Sequence, residues 1–296
     1  MTTALRPLST GELLDRTFSL YRSHFGLFVG IFALPYLVVF AYQCVGLAFR
    51  SPTPQFSNIL MSAVWGLGAI LLIFIVSAAS QAATVVAVSN LHLDRPASVM
   101  DSFSTVKGQI LGVMGLSFVI NLVAGLACGA LLIPGTVLLP ISPVAGLACF
   151  ALVIPGVILF IMWSLAVPAM VIEHKGVIDS MSRSIELTKG SRGRIFVIGL
   201  LVIVLVVGIT WLLQGPILVG AGFSARAGGQ RLAIVWQVAA LVAEFVSRSL
   251  VGALGTIALS LVYYDQRVRK EAFDLQVMMT TIDGATLSVS PTQVGA

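Results

Sequence analysis

The chain has 296 residues, a net charge of +5, 58% apolar residues and only 10% charged ones. Its mean hydropathy is +1.02. An ordinary soluble domain carries about 25% charged residues, so a water-facing globular enzyme is excluded. So is a disordered chain, which needs low hydrophobicity and high charge. Apolar runs this long and continuous point to an all-α polytopic membrane protein rather than a β-barrel of short alternating strands.

The chain opens on a polar segment. Ser9-Thr10-Gly11-Glu12 fits a capping box, in which Ser9 and Glu12 satisfy free amide donors reciprocally. Leu14, Phe18, Tyr21 and Phe25 then share one helical face, so an amphipathic helix is expected in the headgroup plane or docked under the bundle. Six spans follow at about 24–49, 58–88, 110–133, 146–172, 195–213 and 232–264, each near or above the roughly 20 residues a crossing needs. Turn chemistry separates them at Ser51-Pro52-Thr53-Pro54, Pro134-Gly135, Pro140 to Pro143, Gly215-Pro216 and Gly228-Gly229. Residues 1–276 read as one transmembrane domain and 277–296 as a mobile tail.

Two more amphipathic helices are expected between spans. Val99, Phe103 and Val106 form one apolar face, and Ile178, Met181 and Ile185 the other. Each surface helix leads into two spans, suggesting three units over about 9–91, 97–172 and 177–264. A local likeness is also visible: 123–135 and 144–156 match at 11 of 13 positions. Small residues there suit close helix packing.

Basic residues set the orientation. Only Arg50, Arg226 and Arg231 fall on one set of connections, and Arg248 falls within the sixth span. All other Lys and Arg residues lie on the opposite connections, which places both termini in the cytoplasm. The same distribution fits an anionic inner leaflet and offers no nucleic-acid surface. Membrane lipids are the expected partners, with a cytoplasmic protein partner possible.

Candidate sites are few. Glu244 and Arg248 stand at i,i+4 in the last span, and intramembrane ionisable residues are functional pointers by default. They read either as a polar binding point or as a self-neutralised pair at the outer helix end. Ser77, Ser80, Gln81 and Thr84 form a polar stripe on the second span, which either lines a path or hydrogen-bonds neighbouring helices. Pro35, Pro155 and Pro168 kink or interrupt their spans. Cys44, Cys128 and Cys149 lie in apolar runs and read as buried thiols. His24, His92 and His174 lack a partner at metal-binding spacing. No nucleophile elbow, zinc-protease or phosphate-loop motif occurs. No catalytic residue, metal or cofactor is therefore expected.

Three segments resemble the glycerophosphoryl diester phosphodiesterase membrane-domain family. They are Arg6-Pro7-Leu8 with Gly11 to Arg16, Phe18 and Leu20-Tyr21-Arg22; Pro168 to Glu173 with Arg183-Ser184 and Leu187 to Gly190; and Leu261 to Glu271 with Phe273-Asp274-Leu275. The resemblance implies a bacterial six-helix integral module of the inner membrane. The family's hydrolase carries an HRG-type segment, and no His-Arg pair occurs here, so hydrolysis is not expected of this chain. Arg6, Asp15, Arg183, Asp265, Arg267 and Glu271 occupy matching positions. They are expected to meet in one cytoplasmic polar network, either as a latch or as a docking face. The resulting expectation is a non-catalytic scaffold or accessory protein in envelope or lipid homeostasis. The alternative is a small transporter or lipid-handling protein using the second-span stripe and Glu244/Arg248.

Overall fold

A computed structural model describes residues 8–49, 56–145, 147, 153–226 and 230–271, and their side chains except 56, 124–135, 153, 224–226 and 230–233. Among these residues there is no strand. The main helices are α1 (Thr10–Ser23), α2 (Phe25–Ala48), α3 (Phe56–His92), α4 (Val99–Val106), α5 (Ile110–Leu138), α6 (Val153–Trp163), α7 (Ala166–Glu173), α8 (Val177–Thr188), α9 (Arg192–Arg226) and α10 (Gln230–Glu271). Among the described residues five segments are long and apolar enough to cross a membrane, or six if the α4–α5 pair, bent by 81°, forms one span. The chain is a helical protein with the composition of a multi-pass membrane protein.

Several element boundaries differ from the sequence expectation. The third span runs on through Pro134-Gly135 to Leu138. The fifth passes Gly215-Pro216, and Pro216 lies inside α9. A proline removes one backbone donor, but long apolar helices tolerate that loss because neighbours re-satisfy the freed carbonyl. The last span is one continuous helix of 42 residues. The fourth is broken at Ser164-Leu165, between α6 and α7. Pro168 explains the place: its ring crowds the carbonyl of the residue four positions earlier, which is Ser164. The turns at Ser51–Pro54 and Gly228-Gly229 and the tail 277–296 lie outside the described residues. So does most of the side-chain content of the 123–135 and 144–156 likeness.

The core occupies one end of the bundle. Buried side chains fall within 28–39 of α2, 76–88 of α3, 113–120 of α5, 195–202 of α9 and 243–266 of α10. Every one of these stretches is the half of its helix that approaches α1, α4 and α8. The remaining halves, such as 59–71, 203–223 and 234–242, carry mostly exposed large apolar side chains.

On α4 the expected face, Val99, Phe103 and Val106, is the packed one, whereas on α1 and α8 the packed face is shifted from the expected stripe. On α1 the buried residues are Leu13 and Thr17, while Phe18 and Phe25 are exposed. On α4 they are Ser102 and Val106, with Val99 and Phe103 half-buried. On α8 the inward side carries Ser180, Ser184, Leu187 and Thr188, and Ile178 is 78% exposed. Buried hydroxyls enter the packed faces because each bonds the backbone carbonyl four residues earlier. Thr17 donates to Leu13 at 2.8 Å, Ser102 to Ser98 at 2.8 Å and Ser180 to Gly176 at 2.7 Å.

Candidate functional site

The charged end of the bundle is built around the last turns of α10. Asp265 is buried, its side chain only 1% exposed. One carboxylate oxygen accepts from Arg194 Nη1 at 2.6 Å and Arg269 Nε at 2.9 Å. The other accepts from the Leu8 backbone N–H at 2.7 Å. The two guanidinium groups then donate to the Leu8 carbonyl, at 2.6 Å from Arg194 and 2.5 Å from Arg269. Both polar groups of one peptide residue are thus held by an acid and two bases. Charge-assisted bonds of this kind are about twice as strong as neutral ones.

A second cluster lies beside the first. Glu173, at the end of α7, accepts from the Tyr263 hydroxyl at 2.5 Å and from Arg183 Nε at 3.0 Å, and pairs with Lys175 at 2.8 Å. Arg183 also donates to Glu271, which accepts from Arg267 Nε at 3.1 Å. The Arg267 guanidinium sits over the Tyr263 ring, 5.8 Å from its centre. Burial opposes the charge on Arg183, but bonds to Glu173 and Glu271 outweigh it and raise its pKa. Lys270 caps α8, donating to the carbonyls of Glu186 at 2.6 Å and Lys189 at 2.7 Å. A cation there also suits the negative end of the helix dipole.

The six residues expected in one network are therefore distributed. Asp265 belongs to the first cluster, and Arg183, Arg267 and Glu271 to the second. Asp15 is exposed and has no ion pair among the described residues. Arg6 lies outside them. The partners that sequence reasoning missed are Arg194, Arg269, Glu173 and Tyr263. Arg194 carried a readable signal: a base in the first turn of a helix opposes the dipole and calls for an acid.

The polar stripe on α3 divides as well. Pro35 removes the donor that would meet the Ile31 carbonyl within α2, and Ser80 of α3 donates to that carbonyl at 3.2 Å. Thr84 and Ser77 bond backbone carbonyls of their own helix, Ser80 at 2.7 Å and Phe74 at 2.9 Å. Gln81 alone turns into a cavity of about 180 Å³ between α3, α5, the α6–α7 break and α10. Glu244 and Arg248 face each other at 4.0 Å and are both partly exposed. Glu244 also borders a groove of about 470 Å³ between α2, α3 and α10, with Gln43, Asn58, Ser62 and Gln237 as its other polar lining. A further groove of about 490 Å³ lies between α6 and α9, apolar except for Arg192 at its end. The Arg192 Nε is buried without a partner.

A protein-family model described as "Domain of unknown function (DUF7847)" matches residues 27–266, from the first long helix to the Asp265 cluster. The chain belongs to the DUF7847 family. No curated protein and no solved structure matches it. The matched region of this DUF7847 chain holds Arg183, Arg194 and Asp265, whereas Arg267, Arg269 and Glu271 follow it.

Proposed function

We propose that this protein is a non-catalytic, six-span protein of the bacterial inner membrane with both termini in the cytoplasm. It acts there as a scaffold or accessory protein in envelope or lipid homeostasis, through its charged end. The resemblance to the glycerophosphoryl diester phosphodiesterase membrane-domain family belongs to this proposal, as does the reading of α1, α4 and α8 as helices of the inner face. The observation that carries it is the pair of ion clusters. They tie residue 8, α7, α8, α9 and α10 into one plate. Such a plate holds Ile178, 78% exposed, in a fixed position on α8, and Met100, 77% exposed, stands on α4, which packs against α3 and α2. Fixed exposed apolar side chains beside charges are the usual anatomy of a docking surface.

The test is in-cell photo-crosslinking from positions 100 and 178. One shared protein adduct is expected at both, lost on Asp265→Arg in protein that still accumulates in the membrane. Adducts that are absent, or unchanged by Asp265→Arg, refute the scaffold role.

The second reading is a small transporter or lipid-handling protein. The groove bordered by Glu244 favours it, because an acid, two glutamines and an apolar wall converge there. Glu244→Gln should then abolish transfer of the transported molecule or lipid without loss of protein.

A further inference from the structure

The break between α6 and α7 opens onto the cavity of about 180 Å³ that receives Gln81. Its polar lining is Gln81, Ser117, Asn121, Trp163, Ser164 and Thr256, contributed by four helical spans. None of these side chains is charged. Ser117 is 6% exposed, and its hydroxyl has no hydrogen-bond partner. The Trp163 indole N–H is likewise buried without a partner. Asn121 spends one amide hydrogen on the Ser117 carbonyl at 2.7 Å, and Ser164 its hydroxyl hydrogen on Ile161 at 2.8 Å. Their oxygens remain free to accept. Gln81 and Thr256 offer an amide and a hydroxyl with no bonded partner among the described residues. The cavity therefore presents unmet donors and unmet acceptors together.

Unmet polar groups inside an apolar bundle cost several kcal/mol each. The Gln81 amide and the Thr256 hydroxyl on the cavity wall call for a polar filling, whereas the Ser117 hydroxyl and the Trp163 N–H are closed off even from the cavity. Its volume equals that of about six waters at roughly 30 Å³ each. With no charge in the lining, the desolvation of an ion would go uncompensated. We propose that this cavity is a binding site for small uncharged solutes bearing amide or hydroxyl groups, with water as the resident filling. The proposal deepens the transporter alternative and rests on its membrane reading, since Gln81 belongs to the stripe invoked there. Phe160 stands on the rim, 44% exposed, so the site opens on the outer surface of the bundle beside that ring.

The tryptophan on the wall makes the site readable. The full chain is placed in lipid nanodiscs with Trp65→Phe, Trp211→Phe and Trp236→Phe, leaving Trp163 as the sole emitter. Acrylamide, a small uncharged amide, is compared with iodide. The expected result is water-shifted emission, quenched several-fold more steeply by acrylamide than by iodide. Thr256→Leu should fill the space and remove most of that quenching. Blue emission that neither reagent quenches overturns the proposal. Should the triple variant not fold, Ser117→Cys in a chain with Cys44, Cys128 and Cys149 changed to Ser keeps it falsifiable. Labelling by uncharged N-ethylmaleimide, slowed by glycerol and absent with a charged thiosulfonate, supports the site; no labelling refutes it. Glycerol entry into proteoliposomes is measured alongside. Quenching without entry refutes the transporter alternative and leaves the binding site standing. Entry blocked by Thr256→Leu supports both.

Discussion

Ser184 shows what a single hydroxyl does in this protein. It donates to the Met162 carbonyl at 2.6 Å and accepts from the Leu165 N–H at 3.2 Å. Both groups lie at the α6–α7 break, where Ser184 and Leu165 are themselves fully buried. Ser80 serves the carbonyl freed by Pro35 in the same manner. Ser184→Ala should therefore orphan two backbone groups and cost about 1–3 kcal/mol, measured as a lowered Tm in detergent. Ser80→Ala leaves one carbonyl unmet and should cost about 0.6 kcal/mol, the average for hydrogen bonds between membrane helices. Tyr21 makes a pH prediction. Its hydroxyl donates to the Leu250 carbonyl, and burial raises its pKa above the ordinary 10.0. A phenol raised on folding favours the folded state below its unfolded pKa and loses that contribution as pH rises through the folded value. Heating curves should thus show wild type losing Tm above about pH 10, and Tyr21→Phe losing less. Pro35, Pro168 and the hydroxyls were readable in the sequence as types. Their pairing was not, because partners separated by 49 or 19 positions leave no periodic trace.

At the scale of elements, α1 is the most informative. Its capping box was legible in Ser9 and Glu12, and both reciprocal bonds are present, at 2.7 and 3.2 Å. Its placement was not. Leu8 meets Asp265 and Tyr21 meets Leu250, so α1 climbs antiparallel along α10 rather than lying flat beneath the bundle. Periodicity misled because it weighs Phe18 above Thr17, whereas close approach of two helices favours the smaller side chain. Asp265→Asn should release this helix, and faster trypsin cleavage after Arg16 would report it. The α2–α10 contact depends on a glycine. A Cβ on Gly252 would lie 2.3 Å from the Phe32 ring, which is 4% exposed and has nowhere to move. Gly252→Val should therefore cost about 1–3 kcal/mol, the range for overpacking a core. A mutant with unchanged Tm would show that α2 slides to make room.

Over the whole molecule, packing is lopsided. The charged end holds the buried side chains and both ion clusters. The opposite halves of α3, α9 and α10 expose apolar surface that the chain itself does not cover. Composition made the membrane class legible at once, and the Lys and Arg distribution marked which end differs. It did not reveal that one end carries most of the buried side chains, because apolar residues facing lipid and facing protein look alike in sequence. Cysteines placed at Asp101 and Asp179 in intact cells should resist an impermeant thiol reagent and react once the membrane is opened. Labelling in intact cells would invert the proposed orientation. The Leu8–Asp265 bond closes a loop of 257 residues. Ribosomes add about 5–20 residues per second, so the opening segment waits roughly 10–50 s for its acid to be synthesised. Until then nothing can hold the Leu8 peptide group as Asp265 does, and a chain truncated before residue 265 never forms that closure.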